Sequence, residues 1–209
     1  MRVRPVSVEV LVEELADRLA ATGAGGRLRV AIDGAAAARP EALADALVDP
    51  LRVRGRPAVR VAAADFLRPA SVRLEFGRTN PDSFYLGWLD EAGLRREVLD
   101  PAGPGGSGRI VTRLWDARTD RATREPYREL PAEAVVIVSG PLLLGAGLPF
   151  DVTVHLHLSA AALDRRTEAG QRWTLPAFAR YGEEVDPAAF ADLVVRLDDP
   201  RRPAVVLGP

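Results

Sequence analysis

Arg27-Leu-Arg-Val-Ala-Ile-Asp33 runs directly into Gly34-Ala-Ala-Ala-Ala-Arg39-Pro40-Glu41-Ala-Leu-Ala-Asp45, and this stretch decides the fold. The first seven residues read as a buried strand that stops at Gly34. Proline is well tolerated at the first helical position, where its missing N–H would have no intrahelical partner anyway. The spacing predicts a helix from Pro40 to about Val53, kinked by Pro50. Gly55-Arg-Pro57 is a turn, and Pro57 through Ala63 reads as a second strand. Strand, loop, helix, strand is a βαβ unit, which requires a parallel sheet.

Working outward, Ser7 can cap a helix with Leu11, Leu15 and Leu19 on one face, ended by Gly23, Gly25 and Gly26. Residues 67–107 are interrupted by Pro69, Pro81, Pro101 and Pro104, leaving a short helical stretch near Glu91 to Val98. Pro101 to Gly108 is a loop on composition. Ile110 to Asp116 reads as a strand, Arg118 to Arg121 as a turn, and Ala134 to Val138 and Asp151 to Leu158 as buried strands. Ala160 to Ala169 is helical, Phe190 to Leu197 gives a helix end and a strand, and Ala204 to Leu207 a short last strand. The expectation is a three-layer α/β fold with a mainly parallel sheet of about five strands. Residues 1–209 would form one domain, with 1–26 as N-terminal helix and linker and 27–209 as the core.

With 209 residues, 47% of them hydrophobic, the chain can bury a substantial core. A net charge of −1 gives no reason to expect nucleic acid or a membrane surface as partner. There is no cysteine, so disulfides and thiolate metal sites are excluded and a reducing, cytoplasmic setting is expected. No signal-peptide pattern or membrane span is read. All 28 basic residues are arginine. No chemistry that needs a lysine ammonium can therefore come from this chain alone.

In an open α/β sheet, ligands bind beyond the carboxyl ends of the strands. The loop after Asp33 is thus the first candidate site. A phosphate-binding loop there reads G-x-x-x-x-G-K-[ST]: backbone amides wrap phosphate, lysine bridges the β and γ phosphates, and the hydroxyl holds Mg²⁺. This chain has Gly34, four alanines, Arg39, Pro40 and Glu41 in those positions. Val30-Ala-Ile-Asp-Gly34 followed by Pro40-Glu-Ala-Leu-Ala-Asp45 resembles the uridine kinase pattern V-A-I-D-G-x-x-G-x-G-K-T-T-L-A-D. In the same order, Ala64-Asp-Phe-Leu-Arg-Pro69 resembles that family's D-D-F-H-R-P, and Asn80-Pro-Asp-Ser-Phe-Tyr85 its S-P-E-G-Y-Y. Leu99-Asp-Pro-Ala-Gly-Pro-Gly-Gly106 resembles its L-D-P-L-G-P-G-G. Asp116 to Arg121 and Val138-Ser-Gly140 have counterparts too, so the resemblance covers roughly residues 27–209.

The resemblance implies a P-loop kinase-like fold and, in an intact member, ATP- and Mg²⁺-dependent phosphorylation of a nucleoside. Carried over residue by residue, it implies losses. The second loop glycine falls on Arg39, the lysine on Pro40 and the Mg²⁺-binding hydroxyl on Glu41. The catalytic aspartate falls on Ala64, a second acidic position on Ser139, and a ribose-binding aspartate on Thr79. Glu41 at about 5 Å from a phosphate charge would repel it by about 3 kcal/mol at an effective dielectric of about 20. The expectation is a degenerate phosphate loop that has become an ordinary helix start, hence a pseudokinase with no cofactor.

The alternative is a working kinase that uses ATP and Mg²⁺. Arg39 and the lid arginines Arg165, Arg166 and Arg172 would then replace lysine, and Asp65 or Asp116 would serve as base. A third reading is a structural or interaction protein with no small-molecule site. Arg68, Tyr85 and Asp116 are substrate candidates, and Tyr85, Trp88 and Trp115 fall where a nucleoside pocket would be lined. His155 and His157 share one strand face but lack a third ligand, so they read as core or interface residues and no metal is expected. Nucleosides or nucleotides, a second copy of the chain, or an active kinase relative are the partners this reading allows.

Overall fold

In a computed structural model, residues 2–23 and 25–207 are described. In chain order the strands are β1 (Arg2–Pro5), β2 (Leu28–Asp33), β3 (Ala58–Ala62), β4 (Arg109–Ile110), β5 (Trp115–Asp116), β6 (Arg121–Ala122), β7 (Arg128–Glu129), β8 (Val135–Gly140), β9 (Val152–His157), β10 (Leu193–Arg196) and β11 (Ala204–Leu207). The helices are α1 (Val8–Ala21), α2 (Pro40–Ala46), α3 (Val48–Val53), α4 (Ala70–Arg73), α5 (Pro81–Gly87), α6 (Glu91–Leu94), α7 (Asp100–Ala102), α8 (Ala160–Arg166), α9 (Leu175–Glu184) and α10 (Pro187–Phe190).

The main sheet has the order β1-β11-β10-β9-β2-β8-β3. Its five strands from β10 to β3 are parallel, as the βαβ reading requires, and β11 and β1 extend it antiparallel. Strands β2 and β8 are buried on both faces, which is why they read as unbroken apolar runs. Val30, Ile32, Val135 and Ile137 face a core closed by Leu11, Leu15 and Leu19 of α1 and by Leu47 and Leu51. Ala31, Val136 and Val138 face a second core with Phe66, Leu94, Leu99, Ile110 and Tyr181. This is the three-layer arrangement expected from the sequence.

Several expected elements differ. The Pro40–Val53 helix is two helices that meet at Leu47. The Pro50 ring opposes the carbonyl four residues earlier, at Ala46, so the break precedes the proline. Ile110 to Asp116 is not one strand. Arg109–Ile110 pairs with β7 and Trp115–Asp116 with β6, in two separate hairpins. Between them Val111 and Leu114 donate to the carbonyls of Glu97 and Asp65. Glu91 to Ala102 is helical throughout, with a widened turn over Arg95–Leu99, so the loop starts at Gly103 and not at Pro101. Two short helices, α4 and α5, occupy the proline-interrupted region. The helix after Ser159 ends at Arg166, and a 3-10 stretch over Ala169–Thr174 follows. The β1 strand was not foreseen, because four residues carry too little pattern to read.

The start of β2 is anchored electrostatically. The Arg29 guanidinium donates to both carboxylate oxygens of Asp151, at 2.9 Å and 2.6 Å. Asp151 also accepts the Arg29 backbone N–H at 2.8 Å. Arg56, 4% exposed, donates to the carbonyls of Glu133, Ala20, Thr22, Gly23 and Gly26, and so closes the C-terminal end of α1.

Candidate functional site

The β2–α2 junction is a closed turn. Ala36–Ala38 form a 3-10 turn in which Ala38 N–H donates to Ala35 C=O at 2.8 Å and Arg39 N–H to Ala36 C=O at 2.9 Å. Gly34 N–H is bonded to Gly140 C=O, and Pro40 has no N–H. The amides that would wrap an anion at Gly34, Ala38 and Arg39 are therefore taken by backbone carbonyls. Arg39 is left-handed, with φ 58° and ψ 53°, which costs about 1–2 kcal/mol for a residue with a Cβ. It ends the 3-10 turn and starts α2 in one step, its carbonyl accepting from Ala42 and Leu43. Gly34 is closely packed, since a Cβ there would lie 3.0 Å from the Leu156 Cβ and 3.1 Å from its carbonyl oxygen. Its neighbour Gly140 has φ 155°, and a Cβ there would lie 2.6 Å from Ala63.

Arg39 is exposed and turned toward α1 and Leu197. Glu41 sits in the first turn of α2, where a carboxylate favours the positive helix end. The buried Ser139 hydroxyl accepts from Arg60 at 3.0 Å. The same guanidinium donates to the Glu41 carbonyl at 2.8 Å and pairs with Asp45. Arg60 was missed in the sequence, where a lone arginine in an alternating strand carries no signal.

Above the turn lies a cavity of 390 Å³ bordered by Ala35, Ala36, Ala37, Phe84, Pro141, Arg166 and Glu168. Among the described residues, Arg166 and Glu168 are its only charged lining residues, so the lining side chains carry no net positive charge. Of the expected lid arginines, Arg166 reaches this cavity while donating to Leu197 C=O at 2.6 Å. Arg172 is paired with Asp164, and Arg165 is exposed and lines none of the cavities described.

A smaller cavity of 170 Å³ lies beside it, lined by Ala64, Tyr85, Trp88, Glu41 and Glu91 among others. This is below the roughly 300–1,000 Å³ of drug-sized ligand pockets. Burial pushes the Glu91 carboxyl up, and Arg68 partly offsets the rise. Arg68 itself does not line the cavity. An aromatic cluster borders it: Phe84 lies 5.3 Å from Trp88, 5.6 Å from Trp173 and 5.9 Å from Phe178, edge to face. This cluster ties α5 to the Ala169–Thr174 stretch and α9, and Tyr85 donating to Glu184 at 3.0 Å adds a polar link.

The remaining candidates are dispersed. Asp65 is held by Arg113 at 2.7 Å; burial pushes its carboxyl up and Arg113 pulls it back. Asp116 accepts from the N–H of Arg118 and Thr119 and from the Thr119 hydroxyl, which lowers its pKa and commits it to the hairpin turn. Trp115 donates to Asp120, and Thr79 is exposed in a turn. Neither Asp65, Asp116 nor Trp115 lines the cavity that Ala64 and Trp88 share.

The register of β2 against β9 sets Asp33 beside His155. Asp33, fully buried, accepts from Leu143 N–H at 2.9 Å and Tyr181 O–H at 3.2 Å, and its Oδ2 lies 2.7 Å from His155 Nδ1. Burial, and then the Asp33 charge, push the Tyr181 hydroxyl far up. A carboxylate ending an apolar strand demands buried partners, and that was the available sequence signal. His157, half-buried, is pushed down by burial, then by His155 and Arg196, with Asp198 and Asp186 opposing. The folded protein thus holds His157 neutral below the ordinary value of 6.5. Its contribution to stability is present above about pH 6.5 and is lost as pH falls toward the lower folded value. The drop in melting temperature between about pH 7.5 and about pH 5.5 should be smaller in His157→Gln than in the parent. Equal drops would contradict this.

Among the described residues no group of three or more histidine or acidic side chains converges on a metal-sized site, and no helix is long and apolar enough to cross a membrane. No protein-family model matches the chain, and no curated protein matches it. Solved structures do. A possible uridine kinase from Bacillus stearothermophilus is 20% identical with a TM-score of 0.72, covering 90% of this chain and 98% of its own. A candidate fructose transport system kinase from Silicibacter sp. TM1040 is 22% identical with a TM-score of 0.58, covering 88% and 91%. The YGR205w protein is 12% identical with a TM-score of 0.54, covering 97% and 100%. The parallel sheet, its helical layers and the strand-to-helix junction beyond Asp33 therefore make up a P-loop kinase-like fold, shared with these structures.

Proposed function

We infer that this chain is a uridine kinase-like pseudokinase: a kinase scaffold that does not transfer phosphate and acts in the cytoplasm as a binding or regulatory module. The observation that carries the reading is the closed Ala36–Ala38 turn, whose Ala38 and Arg39 amides bond to backbone carbonyls instead of facing the cavity. The other residues agree with it. Pro40 and Glu41 supply neither an ammonium nor a hydroxyl, Ser139 is taken by Arg60, and Ala64 has no proton-accepting group. ATP with Mg²⁺ does not fit this residue set. Loss of a single preorganised electrostatic contact typically costs about 2.7–4 kcal/mol in the transition state, and several are absent together. The likeness to a possible uridine kinase supports reading the fold as a retained scaffold. A nucleoside or nucleotide, a second copy of the chain or an active kinase relative is the partner such a module would take.

Calorimetric titration with ATP·Mg²⁺ should show no binding tighter than about 100 μM, roughly 5.5 kcal/mol. Uridine with ATP·Mg²⁺ should give no turnover. Tighter binding would contradict the loss of ATP binding, and turnover that disappears in Asp65→Ala would favour the working-kinase alternative.

A further inference from the structure

A cavity of 530 Å³ lies between the end of β9, α8 and α9, and it meets the closed turn after β2 only at Ala35. Its volume is within the range of small-molecule sites, about 300–1,000 Å³. Most of its wall is apolar, with Leu158, Leu163, Leu175 and Phe178 among the contributors. The polar exceptions are His155, His157, Tyr181 and Asp164.

His155 is the informative one. It is 7% exposed, so its ring is removed from bulk water. The Tyr181 hydroxyl accepts the Leu144 N–H at 3.0 Å, so its own proton is free to go to Asp33. The Asp33 carboxylate is then an acceptor on every side, and His155 Nδ1 must carry the proton between them. In the neutral ring that fixes the tautomer: Nε2, across the ring from Asp33, bears a lone pair directed away from the carboxylate. Among the described residues nothing donates to it, although the residue lines the cavity. The His157 ring, its centroid 5.9 Å away, likewise makes no hydrogen bond to the described residues. Asp164 is occupied by Arg172. The cavity thus presents an oriented acceptor in an apolar surround.

We propose that this cavity binds a neutral, mainly apolar alcohol or phenol whose hydroxyl donates to His155 Nε2. A hydrocarbon of the same shape leaves the lone pair unmet. A carboxylate brings no donor and adds a second negative charge near Asp33. An ammonium would have to shed its hydration against leucine and phenylalanine side chains.

The test uses the full chain and four probes of similar shape: 4-ethylphenol, ethylbenzene, 4-ethylbenzoate and 4-ethylbenzylamine. Calorimetry and imidazole nitrogen NMR should show 4-ethylphenol binding with Kd below about 1 mM, at least about tenfold tighter than each of the others. The His155 Nε2 resonance should shift on binding while Nδ1 keeps its proton. His155→Phe should abolish the preference for the phenol over ethylbenzene. If that variant does not fold, the resonance shift in the parent protein decides the question. Equal affinity for phenol and hydrocarbon, tightest binding of the benzoate or the amine, no binding of the phenol, or an unmoved Nε2 resonance would each overturn the proposal.

Discussion

Replacing Asp33 by alanine is expected to destabilise the protein by about 3–6 kcal/mol, because one fully buried carboxylate satisfies three donors at once. Each donor left unpaired in the interior costs about 1–3 kcal/mol. The Leu143 amide is fixed by the backbone and cannot turn to follow a new acceptor. Tyr181 can turn its hydroxyl only at the expense of the Leu144 contact. His155 can change tautomer, so its share of the cost is the smallest. Against a typical total of about 5–15 kcal/mol, the loss is a large fraction of stability. For a chain of this size it corresponds to a fall in melting temperature on the order of 10 °C. Asp33→Asn keeps an acceptor for Leu143 and should lose about half as much. Urea unfolding of both variants measures this; an alanine variant within about 1 kcal/mol of the parent would show that the network is not a unit.

Asp151→Ala should cost about 3–5 kcal/mol, since it strands the Arg29 guanidinium, whose side chain is 10% exposed. The carboxylate binds that guanidinium through two oxygens and also accepts the Arg29 backbone N–H, so it positions the start of β2. Removing both charges is a different experiment. In Arg29→Met/Asp151→Leu no buried ion is left unpaired, and the loss should shrink to about 1–2 kcal/mol, the remainder being the orphaned N–H. A double variant no better than the single one would mean that the stabilisation came from the attraction itself rather than from avoiding an isolated charge. Equilibrium unfolding of the three proteins separates the two.

Much of the fold was legible because it rests on patterns of short range. The apolar runs at Arg27–Asp33 and Ala134–Val138 read as strands buried on both faces, and Pro40 suits a helix start. At the candidate site the sequence told which residues stand there, Arg39, Pro40, Glu41, Ala64 and Ser139. Their partners were not legible. Nothing local distinguishes Arg60, which reaches the Glu41 carbonyl, Asp45 and Ser139, from the other arginines. Of Tyr85, Trp88 and Trp115, read as lining one pocket, the first two share a cavity while Trp115 donates to Asp120 outside it. Asp65 is paired with Arg113, and Asp116 is bonded into a hairpin turn.

The amino-acid sequence by itself determined the parallel α/β architecture and the absence of lysine, a second glycine and a hydroxyl from the junction after β2, because these depend on residue identity and on periodicity along one segment. Tertiary structure alone decided that Ala36–Ala38 close on themselves, that Arg39 turns left-handed, and that Asp33, His155 and Tyr181 meet at one cavity wall. Those outcomes depend on strand register and on which buried donor finds which acceptor. Both are settled between segments as far apart as 148 residues, over distances of about a hydrogen bond.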